Sequence, residues 1–294
     1  MDAEALTTDQ RREAFEHYLM TLEAGSFPTP LNEPPLPYDP CPQIRHARWR
    51  LPMVEQLVED ELSELTNTLN EWRGALRHWY AWLAVLDKYD EQTAWGLQWE
   101  FVESIAFQCL FYPSATRDRF GFVVTNALHQ TRMAADDSYE DALDQDPKKP
   151  DGKARILSRS EREKQLLRIA EPYEGHSAFM NHLQSLDGRS YRNETYDYRN
   201  RASHAIAPRL SVGLTNTVVR RIVPATKLVE HENGLYKVEV IPNKRQVSYG
   251  FGGLLPLPLR GVFAANLAES KIAQACFISY VDMLNRAIED IAKR

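Results

Sequence analysis

No run of about 18 apolar residues occurs in the 294-residue chain, so nothing in it reads as a membrane span. The first residues, Met-Asp-Ala-Glu-Ala-Leu, are acidic and lack the basic-then-apolar order of a secretory signal, which points to the cytoplasm. Cysteine is scarce: Cys41, Cys109 and Cys276 stand far apart, with no Cys-x-x-Cys spacing. Nothing in that spacing suggests zinc, and the three read as buried or incidental thiols. Also missing are a Walker A loop, a Gly-x-Gly-x-x-Gly turn after a strand, His-Glu-x-x-His and Gly-x-Ser-x-Gly. His176 and His182 have no companion at ligand spacing and read as solvated or capping residues. Hence no metal and no cofactor is expected. Tyr-Gly-Phe-Gly-Gly at 249–253 follows alternating residues and precedes prolines, so it reads as a loop rather than a phosphate cradle.

An overall basic charge is also missing. The net charge is −6, which excludes a general nucleic-acid-coating protein. The charge is unevenly placed, however. Residues 136–151 hold seven acids against Lys148 and Lys149, whereas 187–221 hold seven arginines against Asp187, Glu194 and Asp197.

What is present is helical patterning. Residues 4–24 read as a helix capped near Thr8 and stopped by Gly25. Seven prolines between Ser26 and Pro42 make an extended arm that wraps the surface or offers itself to a partner. From 51 to 89, Val54, Val58, Leu62, Leu65, Leu69, Trp72, Leu76, Trp79, Leu83 and Leu86 recur at steps of 4-4-3-4-3-4-3-4-3. Such a stripe must be buried, in a bundle seam or a dimer seam. Helical pattern resumes over 91–111, is expected to break at Pro113, and returns over 116–133. The acidic segment 134–152 reads as a solvated loop, and one further helix is expected through 153–186. Residues 190–207 form another, which Pro208 helps to end. Alternation around Asn233-Gly234 predicts a β-hairpin over 226–250, closed by Gly250, Gly252 and Gly253. A last amphipathic helix covers 262–292. The expectation is a mainly α protein: an N-terminal helix and arm over 1–50, then a helical bundle over 51–294 carrying a small inserted hairpin.

The chemically pointed segment is Tyr-Arg-Asn-Arg-Ala-Ser-His at 198–204. Arg-x4-His recurs at Arg12/His17 and Arg73/His78, but Glu13 and Gly74 stand where Arg199 has Asn200. On a helix, Tyr191, Thr195, Tyr198, Ala202 and Ala205 share the packing stripe. Asn200 and His204, an i,i+4 pair, fall on the opposite face with Arg199 at its margin. His78, flanked by Trp79 and Tyr80, is explained by packing. A histidine near neutral pKa beside an arginine suits metal-free RNA cleavage, the imidazole moving protons and the guanidinium meeting phosphate charge.

This arrangement, Arg199-Asn200-x-x-x-His204 in a helical frame, resembles the HEPN superfamily of helical-bundle proteins. The resemblance implies a metal-independent endoribonuclease, often in toxin–antitoxin or antiphage settings with a partner protein, acting as a homodimer. It implies Arg199, Asn200 and His204 as catalytic residues. RNA would be held by Arg192, Arg201 and Arg209, a reading based on the arginine-rich stretch. Some members carry a modifiable tyrosine two residues after the histidine; here Ile206 stands there. Two other readings stay open: a non-catalytic interaction protein using the 51–89 stripe and the Pro-rich arm, and a HEPN-like module that only binds a nucleotide or RNA.

Overall fold

The longest apolar stripe organises the structure. In the computed structural model, which describes residues 6–149, 152–230 and 234–292, the first helix α1 runs over Thr8–Ala24. Its cap is Thr7 rather than Thr8: the Thr7 hydroxyl accepts from the Gln10 amide and the Gln10 side chain returns the bond, while Gly25 closes the helix at φ 65°. After the Pro-rich arm and a 3₁₀ turn at Pro42–His46, helix α2 spans Val54–Leu86. Nine of its ten stripe residues, Val54 through Leu83, are buried, and Leu76 and Trp79 are fully so. The stripe is therefore a seam inside the chain and not a surface left for a partner.

Helix α3 (Glu91–Leu97) passes through a π turn at Gln98–Val102 into α4 (Glu103–Ala135). α4 packs along α2, with Trp72 stacked on Tyr112 at 5.6 Å. Pro113 lies inside α4 without breaking it. A proline has no N–H, so the carbonyl four residues back, that of Cys109, loses its helical donor. Asn266 supplies the replacement, its Nδ2 donating to the Cys109 oxygen at 2.8 Å. The expected single helix over 153–186 is two, α5 (Arg159–Ala170) and α6 (His176–Ser185), separated where Gly175 takes φ 91°. Two short helices follow, α7 (Arg189–Glu194) and α8 (Tyr198–His204). The strands β1 (Thr215–Glu230) and β2 (Tyr236–Leu254) come next, and α9 (Leu259–Ala292) ends the chain.

Two compact units result: residues 1–199 with 260–294, and residues 200–259. The first is the helical bundle. Its centre joins α2, α4 and α9 through Trp72, whose Nε1 donates to Asn266 Oδ1 at 2.7 Å, and through Trp79 edge-on to Phe263. The Pro-rich arm lies on the bundle's own surface. Asn70 exchanges hydrogen bonds with both backbone groups of Leu36, and Arg77 sits over the Phe27 ring at 4.4 Å. The acidic segment is a mostly exposed loop, as expected, and it is tied to the bundle. Buried His129 holds Tyr139 and Asp141 at 2.9 and 2.8 Å, and Asp144 pairs with Arg168 at 2.7 Å. Pro150 and Asp151 lie outside the described residues.

The second unit is an antiparallel two-stranded ribbon, from Thr215 opposite Leu254 to Glu230 opposite Tyr236. Its base is closed by the Leu210–Leu257 bridge and by the Arg209 amide on the Thr215 hydroxyl at 3.1 Å. Asn233 of the expected turn lies outside the described residues. Gly250, Gly252 and Gly253 do not end the hairpin but sit inside β2. A Cβ on Gly252 would stand 2.9 Å from the Val219 side chain, so the glycine makes room for its branched neighbour. The architecture is mainly α with one small hairpin, as the patterning predicts.

Candidate functional site

The expected helix over 190–207 is interrupted at Thr195–Asp197. The Tyr196 amide donates to the Asn193 carbonyl at 3.3 Å and the Asp197 amide to the Arg192 carbonyl at 2.6 Å. These are the two bonds of a Schellman motif, with Tyr196 at φ 51° in the position that glycine usually fills. Asp197 follows at φ 51° as well. Two consecutive non-glycine residues in the left-handed region are uncommon and cost energy, so the neighbouring packing must hold them. Thr195 and Tyr198 supply that packing. Thr195 is 1% exposed, its hydroxyl on the Tyr191 carbonyl at 2.8 Å, and buried Tyr198 stands edge-on to Phe107.

The unit boundary falls inside the pointed segment. Arg199 is the last residue of the bundle's first stretch, and Asn200 opens the second unit. In the first unit, half-buried Arg199 adds positive charge near the Asp118 carboxylate. Burial alone would push Asp118 up, but Arg159, Arg162 and Arg199 more than offset this and hold it below its ordinary range. In the second unit Asn200 and His204 are both exposed, one turn apart on α8. The Ala205 amide adds a bond to the Arg201 carbonyl at 2.8 Å, so the helical turn carrying His204 is closed. Arg209 is exposed, and its backbone is fixed at the ribbon base.

The histidines now separate. His78 Nδ1 lies 2.5 Å from the Tyr18 hydroxyl, and burial with the nearby Arg77 charge lowers its pKa. His129 uses both ring nitrogens, His176 meets the Tyr173 carbonyl, and His182 meets Ser279. His204 stands exposed, on the face that the spacing predicts; His46 is exposed as well, but Pro42 rather than an asparagine stands four residues before it. Of the arginines named from the sequence, Arg192 is engaged with Asp187 at 2.7 Å rather than open to a ligand.

Spacing could not reveal the charged cluster beside Arg199. Arg159 makes a two-pronged pair with Asp118, both contacts at 2.9 Å, and reaches Asp187 at 2.6 Å. Asp187, 6% exposed and at φ 52°, also takes Arg192 and donates its amide to Glu269 at 2.6 Å. Burial pushes the Glu269 carboxyl up to about 7, partly countered by that amide and reinforced by the Asp187 charge. Its members come from α4, α5, the α6–α7 turn, α7 and α9, so no local motif announces it. Among the described residues no group of histidine, cysteine and carboxylate side chains could hold a metal ion. Likewise, no described helix is long and apolar enough to cross a membrane. Comparison with protein-family models, with curated proteins and with solved structures finds no match to this chain.

Proposed function

We propose that the chain is a metal-independent RNA endonuclease of HEPN type, acting as a homodimer through Arg199, Asn200 and His204. The observation that carries this reading is the pairing of two exposed side chains, Asn200 and His204, one turn apart on α8; His78, His129, His176 and His182 are held in hydrogen bonds, and exposed His46 has Pro42 where His204 has Asn200. A catalytic imidazole must reach the substrate, and the exposure of His204 supports that role.

The chemistry follows. The ribose 2′-oxygen attacks the adjacent phosphorus and the P–O5′ bond breaks, leaving a 2′,3′-cyclic phosphate and a 5′-hydroxyl. His204 takes the 2′-hydroxyl proton or delivers one to the departing 5′-oxygen, and the dimer's second copy supplies the other role. Arg199 meets the charge that grows on the phosphate oxygens, and Asn200 orients the imidazole or holds a phosphate oxygen. Arg201 and Arg209 attract the RNA backbone; Arg192, neutralised by Asp187, adds little. A partner protein in a toxin–antitoxin or antiphage setting would act by covering α8.

The test is cleavage of RNA by the full chain with and without His204→Ala, in excess chelator. Expected are retained cleavage for the parent, 2′,3′-cyclic ends, and at least a hundredfold loss for the variant with unchanged thermal unfolding. Full activity in His204→Ala, or activity restored to chelated protein by a divalent ion, overturns the reading. Mixing the parent with excess Arg199→Ala/His204→Ala protein, once subunits exchange, should lower activity per parent chain. If RNA binds but is never cut, the chain is a binding module and not a nuclease.

A further inference from the structure

The ribbon has two unlike faces. Directly opposed residues of an antiparallel pair share a face. Val218 stands opposite Phe251, Arg220 opposite Tyr249, Ile222 opposite Val247 and Pro224 opposite Arg245. The reverse face carries Thr217 against Gly252, Val219 against Gly250, Arg221 against Ser248 and Val223 against Gln246, with no aromatic ring among them. On the first face Phe251 is wholly exposed and Tyr249 is 68% exposed. A two-stranded ribbon on its own is marginal in water, and leaving two rings and three aliphatic side chains uncovered adds to that cost.

We infer that this face is a binding platform for single-stranded RNA, with Tyr249 and Phe251 stacking bases and Arg220 and Arg245 meeting phosphates. Charge selects the occupant. Residues 200–259 hold eight Lys and Arg against three Asp and Glu, a surplus of five in a chain whose total is −6. A second ribbon packed on the first would set two such surpluses together, which opposes association. A polyanion is attracted instead. Single strands fit better than duplex because the rings need uncovered base faces, which a duplex keeps in its stack. Tyr249 and Phe251 stand about 6.8 Å apart along one strand, room for neighbouring bases of an extended chain. The inference extends the endonuclease reading by giving its substrate a second point of attachment.

The experiment uses the full chain carrying His204→Ala, so that no cleavage confuses binding, and a fluorescent twelve-nucleotide oligouridylate read by anisotropy. Adding Tyr249→Ala/Phe251→Ala should weaken binding at least tenfold, since each stacked base is worth roughly tenfold or more. Tyr249→Trp/Phe251→Trp, which keeps both rings, should bind within about threefold of the parent. Equal binding by the alanine variant overturns the inference. So does equal loss in the tryptophan variant, or an RNA duplex competing as well as the single strand. A fall from dimer to monomer in light scattering, with RNA affinity unchanged, would show that a second copy covers this face. Cleavage by the chain with His204 intact is scored separately: a ribbon that binds in a protein that never cuts sinks only the nuclease reading.

Discussion

Glu269 shows how one buried carboxyl couples the bundle to pH. It is 5% exposed, accepts the Asp187 amide at 2.6 Å, and has its pKa pushed up to about 7 from an ordinary 4.5, first by burial and further by the Asp187 charge. The folded chain therefore holds this proton more tightly than the unfolded chain does. The stability it contributes is complete below about pH 4.5 and is lost as pH rises through about 7. At about 1.4 kcal/mol per unit, the loss is roughly 3 kcal/mol. Glu269→Gln keeps an acceptor for the Asp187 amide and removes the titration. Urea unfolding at pH 5 and pH 8 should give the variant a flatter profile than the parent, and the greater stability of the two at pH 8. Parallel profiles would mean that Glu269 is ionised at little cost. Asp118 runs the other way: three arginines hold its pKa down, so its contribution fades on acidification.

Among the elements, α4 makes the sharpest test of the packing. Asn266 fills three hydrogen bonds at once, accepting from Trp72 and donating to the Cys109 carbonyl and to the Tyr191 hydroxyl. Asn266→Ala should cost about 3–5 kcal/mol, because each buried group left without a partner costs about 1–3 kcal/mol. Pro113→Ala restores an N–H to the Cys109 carbonyl, which Asn266 already satisfies, so relief of the proline should be worth less than about 1 kcal/mol instead of the usual ~3 kcal/mol. In the double variant the Cys109 carbonyl keeps a donor, so the two changes should couple by about 1 kcal/mol in a denaturation cycle. Strict additivity would show that Asn266 does not stand in for the missing amide. The same region marks what can be read from residues alone. The stripe from Val54 to Leu83 predicts its own burial because periodicity acts within one helix. Pro113 predicts a break because the rescuing side chain lies 153 residues away. The stop at Thr195–Asp197 is hidden for a related reason: Tyr196 and Asp197 take a backbone shape that glycine would have signalled. The exposed face of Asn200 and His204 is legible all the same, because the short helix α8 keeps the i,i+4 relation. The glycines of β2 mislead, since they read as turn residues but act as clearance for side chains across the ribbon.

At the scale of the whole molecule, charge is sorted by unit. Residues 200–259 carry a surplus of five positive charges, leaving the rest of the chain at −11. RNA bound through the basic unit displaces counterions in proportion to the phosphates it neutralises, about 0.7 per phosphate for a single strand. The dependence of affinity on salt therefore counts the arginines that reach the backbone. Arg220 and Arg245 share the exposed face of the ribbon, so Arg220→Gln/Arg245→Gln should reduce the slope of log affinity against log salt by about 1.4. Arg192 is the contrasting case. Its guanidinium lies 2.7 Å from a carboxylate of Asp187 that is only 7% exposed, so its charge is already answered inside the bundle. Arg192→Gln should leave the salt slope unchanged and lower the unfolding temperature instead, because Asp187 loses one of its two arginine partners. Anisotropy titrations of His204→Ala protein from 50 to 200 mM salt, with each change added in turn, separate the two cases. If Arg192→Gln flattens the slope as much as the ribbon pair does, RNA runs over the buried cluster, and the ribbon is not the principal electrostatic contact.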